Sequence, residues 1–243
     1  MIEKGLLREY AAPYGVTLDD TACDRFDRYA QLLVEWNEKM NLTAITRPED
    51  IVLKHFADSL TALPLLPEKQ GIRLIDVGTG AGFPGIPLAI ARPDVKLTLL
   101  DSLNKRLIFL QEVCRALDIP AQTVHARAEE GGRRPQLREQ FDVATARAVA
   151  ALPVLAEYCL PFVKTGGQFI AMKGPESDAE CRAAARAVTV LGGEPPRTHA
   201  LLLPREPKDG VEQSERRLFV ISKVKHTPAQ YPRPSAKIAK APL

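Results

Sequence analysis

The stretch Leu74-Ile75-Asp76-Val77-Gly78-Thr79-Gly80-Ala81-Gly82-Phe83-Pro84-Gly85 constrains this chain more than any other. An apolar run ends in a carboxylate, glycines crowd the next positions, and Pro84 opens a second apolar stretch. That order predicts a strand, a tight turn and a helix start, because the N–H that proline lacks has no intrahelical partner in a first turn. Glycine lets a ligand press against bare backbone. A turn of this kind seats a nucleoside cofactor on an α/β sheet.

Two cofactor classes compete for such a turn. Gly80-x-Gly82-x-x-Gly85 satisfies the dinucleotide fingerprint, in which a pyrophosphate lies over the glycines. Asp76 argues against that class, since a carboxylate there would face the anion at close range. S-adenosylmethionine has no phosphate, and its sulfonium and ammonium groups would be attracted. The expected cofactor is therefore S-adenosylmethionine, bound at Asp76, Gly78, Gly80 and Gly82. The next strand, from Val95, ends at Asp101. An acid at the tip of a second strand is placed to hold ribose hydroxyls. Asp101 or Ser102 could equally cap the helix that follows, whose apolar positions are Leu107, Leu110, Val113, Cys114 and Leu117.

Bulk properties exclude several alternatives. No apolar run approaches the ~18 residues that span a bilayer, and Met1 to Tyr10 lack the continuous apolar core of a signal peptide. Cys23, Cys114, Cys159 and Cys181 show no CxxC spacing, so neither a disulfide framework nor a zinc site is expected. The four histidines are equally dispersed. These features predict a cytoplasmic chain without a metal. Net charge is +3, yet the segment from Ser222 to Leu243 holds five basic residues and no acidic one. The positive charge is a proline-rich tail, expected either to contact RNA phosphate or to remain a disordered solubilising end.

Organisation along the chain follows from periodicity. Within Thr17–Met40, Ala22, Phe26, Tyr29, Ala30, Leu33, Trp36 and Met40 form one helical stripe, with Thr17 or Thr21 as N-cap and Asn41 and Thr43 as terminators. A second helix starts at Pro48. Residues 1–67 are thus expected to form a helical subdomain, 68–225 a methyltransferase domain and 226–243 the tail. Strands are expected at 72–77, 96–100, 121–125, 141–146 and 168–172, alternating with helices at 85–91, 105–117, 152–163 and 176–191. The last strands, 198–203 and 217–224, have no helix between them and should pair antiparallel at the sheet edge. The predicted fold class is α/β: a doubly wound, seven-stranded, mostly parallel sheet, with the site outside the strand carboxyl ends.

These residues resemble the RsmG/GidB family of bacterial 16S rRNA (guanine-N7) methyltransferases. The resemblance rests on Trp36-Asn37, Asn41-Leu42-Thr43-Ala44 and Lys54-His55-Phe56-Ala57-Asp58-Ser59-Leu60 in the helical part. In the sheet part it rests on 76–87, on Asp101-Ser102-Leu103-Asn104-Lys105-Arg106, on Arg147-Ala148 and on Met172-Lys173-Gly174. It implies a Rossmann-like fold and methylation of guanine N7 in a hairpin loop of 16S rRNA. It also implies cofactor contacts at Gly78, Phe83, Asp101, Ser102, Leu103, Ala128, Glu129 and Arg147. Glu129 could accept from the adenine amino group or be one more charge in the solvated run from Arg127 to Arg134, and Phe83 could pack on the methionine portion or fill the turn. The implied partner is 16S rRNA, the small ribosomal subunit or its assembly intermediate, met by a monomer away from membranes.

N7 of guanine carries a lone pair and no proton, so transfer to it needs orientation and no general base. No acid or base is accordingly assigned. Arg147 is a positioning candidate for guanine O6, or else an ion-pair partner of Asp76 or Asp101. Lys173 is a second candidate, toward RNA phosphate, or an ordinary surface lysine. Lys54, His55 and Asp58 share a helical face and are expected to brace the helical part against the sheet. The competing functions are an NAD-dependent oxidoreductase, disfavoured because Tyr158 is followed four residues later by Phe162, and a non-catalytic RNA-binding protein.

Overall fold

A computed structural model describes residues 1–204 and 214–243; positions 205–213 of the expected 68–225 span lie outside the described residues. Seven strands form one sheet: β1 (Arg73–Val77), β2 (Lys96–Asp101), β3 (Ala121–His125), β4 (Phe141–Arg147), β5 (Val163–Lys173), β6 (Arg197–Leu202) and β7 (Glu215–Ser222). Their order is β3-β2-β1-β4-β5-β7-β6. The first five run parallel, and β7 lies antiparallel to both β5 and β6. Strand order reverses between β1 and β4. In open α/β sheets that is where ligands enter, beyond the carboxyl ends of the strands.

Both faces of the sheet are covered, which is why the central strands read as near-continuous apolar runs. Alternate side chains still divide between two cores. Leu74, Leu97, Leu99, Val143, Ile170 and Leu218 face one core. Ile75, Leu100, Ala144, Phe169, Ala171 and Phe219 face the other. The first core also holds Leu7 of α1 (Lys4–Ala11), Phe26, Tyr29 and Leu33 of α2 (Asp20–Met40), and Ile51, Phe56 and Leu60 of the segment 48–60. The N-terminal helices and the sheet thus share one apolar interior.

Helix ends refine the expected caps. Asp19, rather than Thr17 or Thr21, caps α2, its carboxylate accepting from the Ala22 N–H at 2.7 Å. Asn41 ends α2 in the left-handed region at φ 49°, a conformation asparagine tolerates. Asn37 Oδ1 then takes the Thr43 N–H at 2.8 Å. Neither Asp101 nor Ser102 is the cap of the helix Asn104–Ala116, whose N-cap is Leu103. Ile51–Ala57 is wound as a π-helix between short α-helical turns, a departure that clusters at functional sites.

Two expected helices are shorter in the structure. The one expected over 152–163 ends at Cys159, and Leu160–Phe162 is a 3-10 turn containing Pro161. Proline lacks the donor that would extend the helix. The one expected over 176–191 is a 3-10 turn followed by Asp178–Ala183 and Ala185–Val190.

The C-terminal tail is docked, which is at odds with the second of its two alternatives, a disordered end. Lys223 is fully buried, and its Nζ donates to Leu160 O at 2.7 Å, Thr227 Oγ1 at 2.8 Å and Val163 O at 3.0 Å. Glu139 lies 3.2 Å from it, and burial pushes the ammonium down to about 8. Arg233 grips the buried Glu157 at 2.7 and 2.9 Å. Ile238 of the helix Ser235–Lys240 is buried in turn. Two of the five tail cations thus serve packing, and Lys225, Lys237 and Lys240 stay exposed.

Candidate active site

The glycine turn is shaped from below by Asp76. Its carboxylate is 0 % exposed. Oδ2 accepts from Thr79 Oγ1 at 2.7 Å and the Gly85 N–H at 3.0 Å, and Oδ1 from Thr145 Oγ1 at 3.2 Å. Burial pushes its pKa up to about 6, against the lowering effect of those bonds. The structure therefore corrects the expectation that Asp76 faces the cofactor: its oxygens are committed to the turn and it lines neither cavity described below.

Aromatic packing supports the turn from the helical side. Tyr29 donates its hydroxyl to the Ala81 carbonyl. A Cβ on Gly82, whose φ is +101°, would lie 2.5 Å from that hydroxyl oxygen, so only glycine fits over Tyr29. Phe83, half-expected against the cofactor, is 5 % exposed. Its ring is taken up by His55, centroids 4.3 Å apart, and by Tyr29 at 5.4 Å. The Arg147 guanidinium lies 5.0 Å from the same ring.

Above the turn lies a cavity of about 290 Å³, lined by Gly78, Asp101, Ser102, Arg106, Ala128 and Glu129 among others. Five of the residues expected to bind cofactor meet there. Asp101, at 2 % exposure, takes the Gly80 N–H on Oδ2 at 3.0 Å and the Leu103 N–H on Oδ1 at 2.8 Å. Arg106 stands 3.5 Å from it. Leu103 is 52 % exposed and lines an adjoining hollow beside Met40 and Asn41 that shares Ser102 and Arg106 with this cavity. Glu129 is 8 % exposed, yet no hydrogen bond or ion pair reaches its carboxylate among the described residues. A buried acceptor left open costs free energy unless a ligand donor fills it. Adenine's amino group is such a donor, and ribose hydroxyls suit Asp101. The residues present fit a nucleoside.

A second cavity, about 560 Å³, adjoins the first at Ala148, which lines both. Arg147, Lys173, Asp58, Arg216 and Glu180 are in its wall. Arg147 pairs with neither Asp76 nor Asp101. Its Nη1 donates to Asp58 Oδ2 at 2.6 Å, and Arg216 Nε donates to Asp58 Oδ1 at 2.8 Å. Arg147 Nη2 meets His55 Nδ1 at 3.3 Å. A guanidinium has no acceptor, so Nδ1 must accept and Nε2 carries the proton toward Thr43 Oγ1 at 2.9 Å. Burial, then the neighbouring Arg147, lowers His55 to about 3, which keeps the imidazole neutral in that tautomer. Lys54, His55 and Asp58, the expected braces, divide between two roles. His55 and Asp58 aim Arg147, whereas Lys54 pairs with Asp50 at 2.6 Å.

Lys173, half-expected at the surface, is tied down. Its Nζ donates to the Ala150 carbonyl at 2.7 Å and pairs with Glu180 at 2.7 Å. The segment it holds lies across the glycine turn: Val149 Cγ2 is 2.9 Å from where a Gly78 Cβ would be, and Ala148 has φ +55°. Sequence spacing gave no sign of Arg216, Glu180 or Val149, because only the fold brings β7, the helix Asp178–Ala183 and the loop after β4 together. The described residues hold no group of three metal-ligating side chains.

With this geometry in place, the comparisons decide the family. The family model described as GidB, rRNA small subunit methyltransferase G, matches residues 22–207. The chain belongs to this family. A ribosomal RNA small subunit methyltransferase G of Acetivibrio thermocellus is 52 % identical over 239 residues, covering 98 % of this chain and 96 % of that protein. A protein of the same name from Alkaliphilus metalliredigens is 47 % identical over 244 residues, covering 100 % of both. Among solved structures, a precorrin-6y C5,15-methyltransferase from Geobacter metallireducens superposes with TM-score 0.52 at 15 % identity, covering 74 % of this chain and 90 % of that one. A SAM-dependent O-methyltransferase from Thermotoga maritima gives 0.54 at 16 % identity, covering 80 % and 72 %. At such identities the likeness speaks for the fold, which is the Rossmann-like methyltransferase sheet predicted from the alternating strands and helices.

Proposed function

We propose that this chain uses S-adenosylmethionine to methylate N7 of a guanine in a hairpin loop of 16S rRNA. It acts as a cytoplasmic monomer on the RNA, the small subunit or an assembly intermediate. Family membership supports rRNA methylation. The single structural observation behind the reading is the junction at Ala148 between a cavity holding Glu129, unpartnered among the described residues, and a cavity holding Arg147. A nucleoside cofactor on one side can thereby meet a base on the other.

The cofactor, when bound, supplies an electrophilic methyl group on a sulfonium sulfur. Everything else falls to the chain. Asp101 and Glu129 hold the nucleoside, and the backbone at Gly78 leaves room beside it. Arg147 presents donors to guanine O6, leaving the N7 lone pair free to attack. Its direction is set by Asp58 and His55, so the N-terminal helices belong to the site. No proton leaves N7, so the carboxylates and the imidazole in the wall are not called on as general bases. Much of the rate gain then comes from alignment, up to about 7–11 kcal/mol in well-oriented systems.

The test is to map N7-methylguanine in 16S rRNA from cells with and without this gene, by chain cleavage at the modified base. Loss of one cleavage site on deletion is expected. An unchanged pattern, together with no methyl transfer from labelled cofactor to naked RNA or small subunits, would overturn the proposal in favour of an RNA-binding protein without catalysis.

A further inference from the structure

Arg147 accounts for only one edge of the target base. Guanine O6 is an acceptor, but its N1–H and N2 amino groups are donors, and no other purine offers that pair beside an acceptor. A site that reads guanine needs an acceptor-only group on the same cavity wall. The larger cavity contains one that is already held in place. Glu180 stands on the helix Asp178–Ala183 and lines this cavity with Arg147. Its Oε2 accepts from the Leu152 N–H at 2.9 Å and is paired with Lys173 Nζ at 2.7 Å. Its Oε1 meets no donor among the described residues.

We propose that Glu180 Oε1 accepts a hydrogen bond from the N2 amino group of the target guanine, so that Glu180 and Arg147 together select this base. The inference rests on the reading of the chain as a guanine-N7 methyltransferase. Anchoring distinguishes Glu180 from Glu176, which lines the same cavity but is exposed. A solvated, mobile carboxylate discriminates poorly, whereas one locked by two bonds is pre-organised. Adenine would present the lone pair of its N1 and no N2 donor to this edge, and the carboxylate would repel it. The contact also strengthens during transfer. As N7 acquires the methyl group, positive charge spreads through the purine and its N–H donors become more acidic. A bond that tightens in the transition state raises kcat beyond what binding alone gives. The proton stays on nitrogen throughout, and Glu180 acts as an acceptor only.

The same anchoring makes Glu180→Gln a sharp test. The Leu152 N–H and Lys173 both demand an oxygen at the Oε2 position, so the introduced amide must turn its NH2 toward the base. A donor then faces a donor. Methyl transfer is measured on small subunits reconstituted with 16S rRNA ligated to carry either guanosine or inosine at the target; inosine lacks only the N2 amino group. The wild-type enzyme is expected to lose about ten- to a hundredfold in kcat/KM on inosine, the range of a hydrogen bond to a charged group. Glu180→Gln should lose a comparable factor on guanosine while its guanosine-to-inosine ratio falls to one or below. Thermal unfolding and S-adenosylmethionine binding by the variant serve as controls, and Glu180→Ala supplies a second variant with no misdirected donor. Equal wild-type rates on both substrates, or full retention of the ratio in folded variants, would overturn the assignment. Failure of the wild-type enzyme to modify guanosine at all would instead strike the underlying function.

Discussion

Asp76→Asn separates the two roles open to this carboxylate, and its magnitude follows from the structure. Burial pushes the native carboxyl from 3.8 to about 6. A rise of about two units corresponds to roughly 3 kcal/mol of native-state cost once the group is ionised. Below the unfolded value both states hold the proton and the cost is absent. Between 3.8 and about 6 the native state keeps a proton that the unfolded chain has released, so stability falls as pH rises. Above about 6 the cost is constant. Asparagine removes the charge and keeps the bonds: its oxygen can take the Thr79 hydroxyl and the Gly85 N–H, and its amide can donate to Thr145 Oγ1 once that hydroxyl turns around. The variant should therefore exceed wild type by up to about 3 kcal/mol at pH 7, with the difference vanishing near pH 4. Urea unfolding at a series of pH values measures this. S-adenosylmethionine affinity by calorimetry should change only a few-fold, because Asp76 reaches no cavity. A pH-independent difference would refute the assigned titration. A collapse of donor affinity in a folded variant would restore Asp76 as a direct contact.

Three further outcomes follow from the same geometry. Glu129→Gln should weaken S-adenosylmethionine binding about ten- to a hundredfold in calorimetry while leaving the unfolding midpoint unchanged or raised, since the buried carboxylate has no partner to lose among the described residues. Tyr29→Phe removes the donor to the Ala81 carbonyl and should cost about 1–3 kcal/mol in denaturant unfolding, with a weaker donor affinity; an unaffected turn would argue against the support role. Arg233→Ala leaves Glu157 buried with only the backbone N–H of residue 233 as donor, and should cost about 3 kcal/mol. Adding Glu157→Gln should recover part of that loss, and full stability of the single variant would mean that the tail is not docked through this pair.

The alternation of strand and helix from Ile72 onward was enough to give the α/β class, the edge hairpin of β6 and β7 and the placement of the site at the strand ends. Short apolar runs bounded by turn residues, and glycine-turn chemistry, are local properties, and local chemistry can be read along one chain. Asp101 and Gly78 were legible for a related reason, since each lies in or just beyond the tip of a parallel strand and parallel strands bring their tips together, whereas Ser102, Ala128 and Glu129 came only from the family resemblance. The seam between Asp58, His55, Arg147 and Arg216 was not. It joins a π-helical turn, β4 and β7 across sequence separations of up to 158 residues, and no periodicity records which cation a carboxylate will meet.

Asp76 marks the boundary most clearly. Its type and position were visible, and its negative charge pointed toward a cationic ligand. Whether a strand-end side chain faces solvent or the space beneath its own turn depends on what packs there, namely Thr145 from β4 and the backbone of Gly85. The tail behaved likewise: composition supplied its cations, while the half-buried Glu139 and the buried Glu157 that receive two of them came from elsewhere in the fold. Chemistry written in neighbouring residues was thus available from the chain alone. Burial and pairing, which depend on segments distant in sequence, were settled only when the sheet closed its two cores around them.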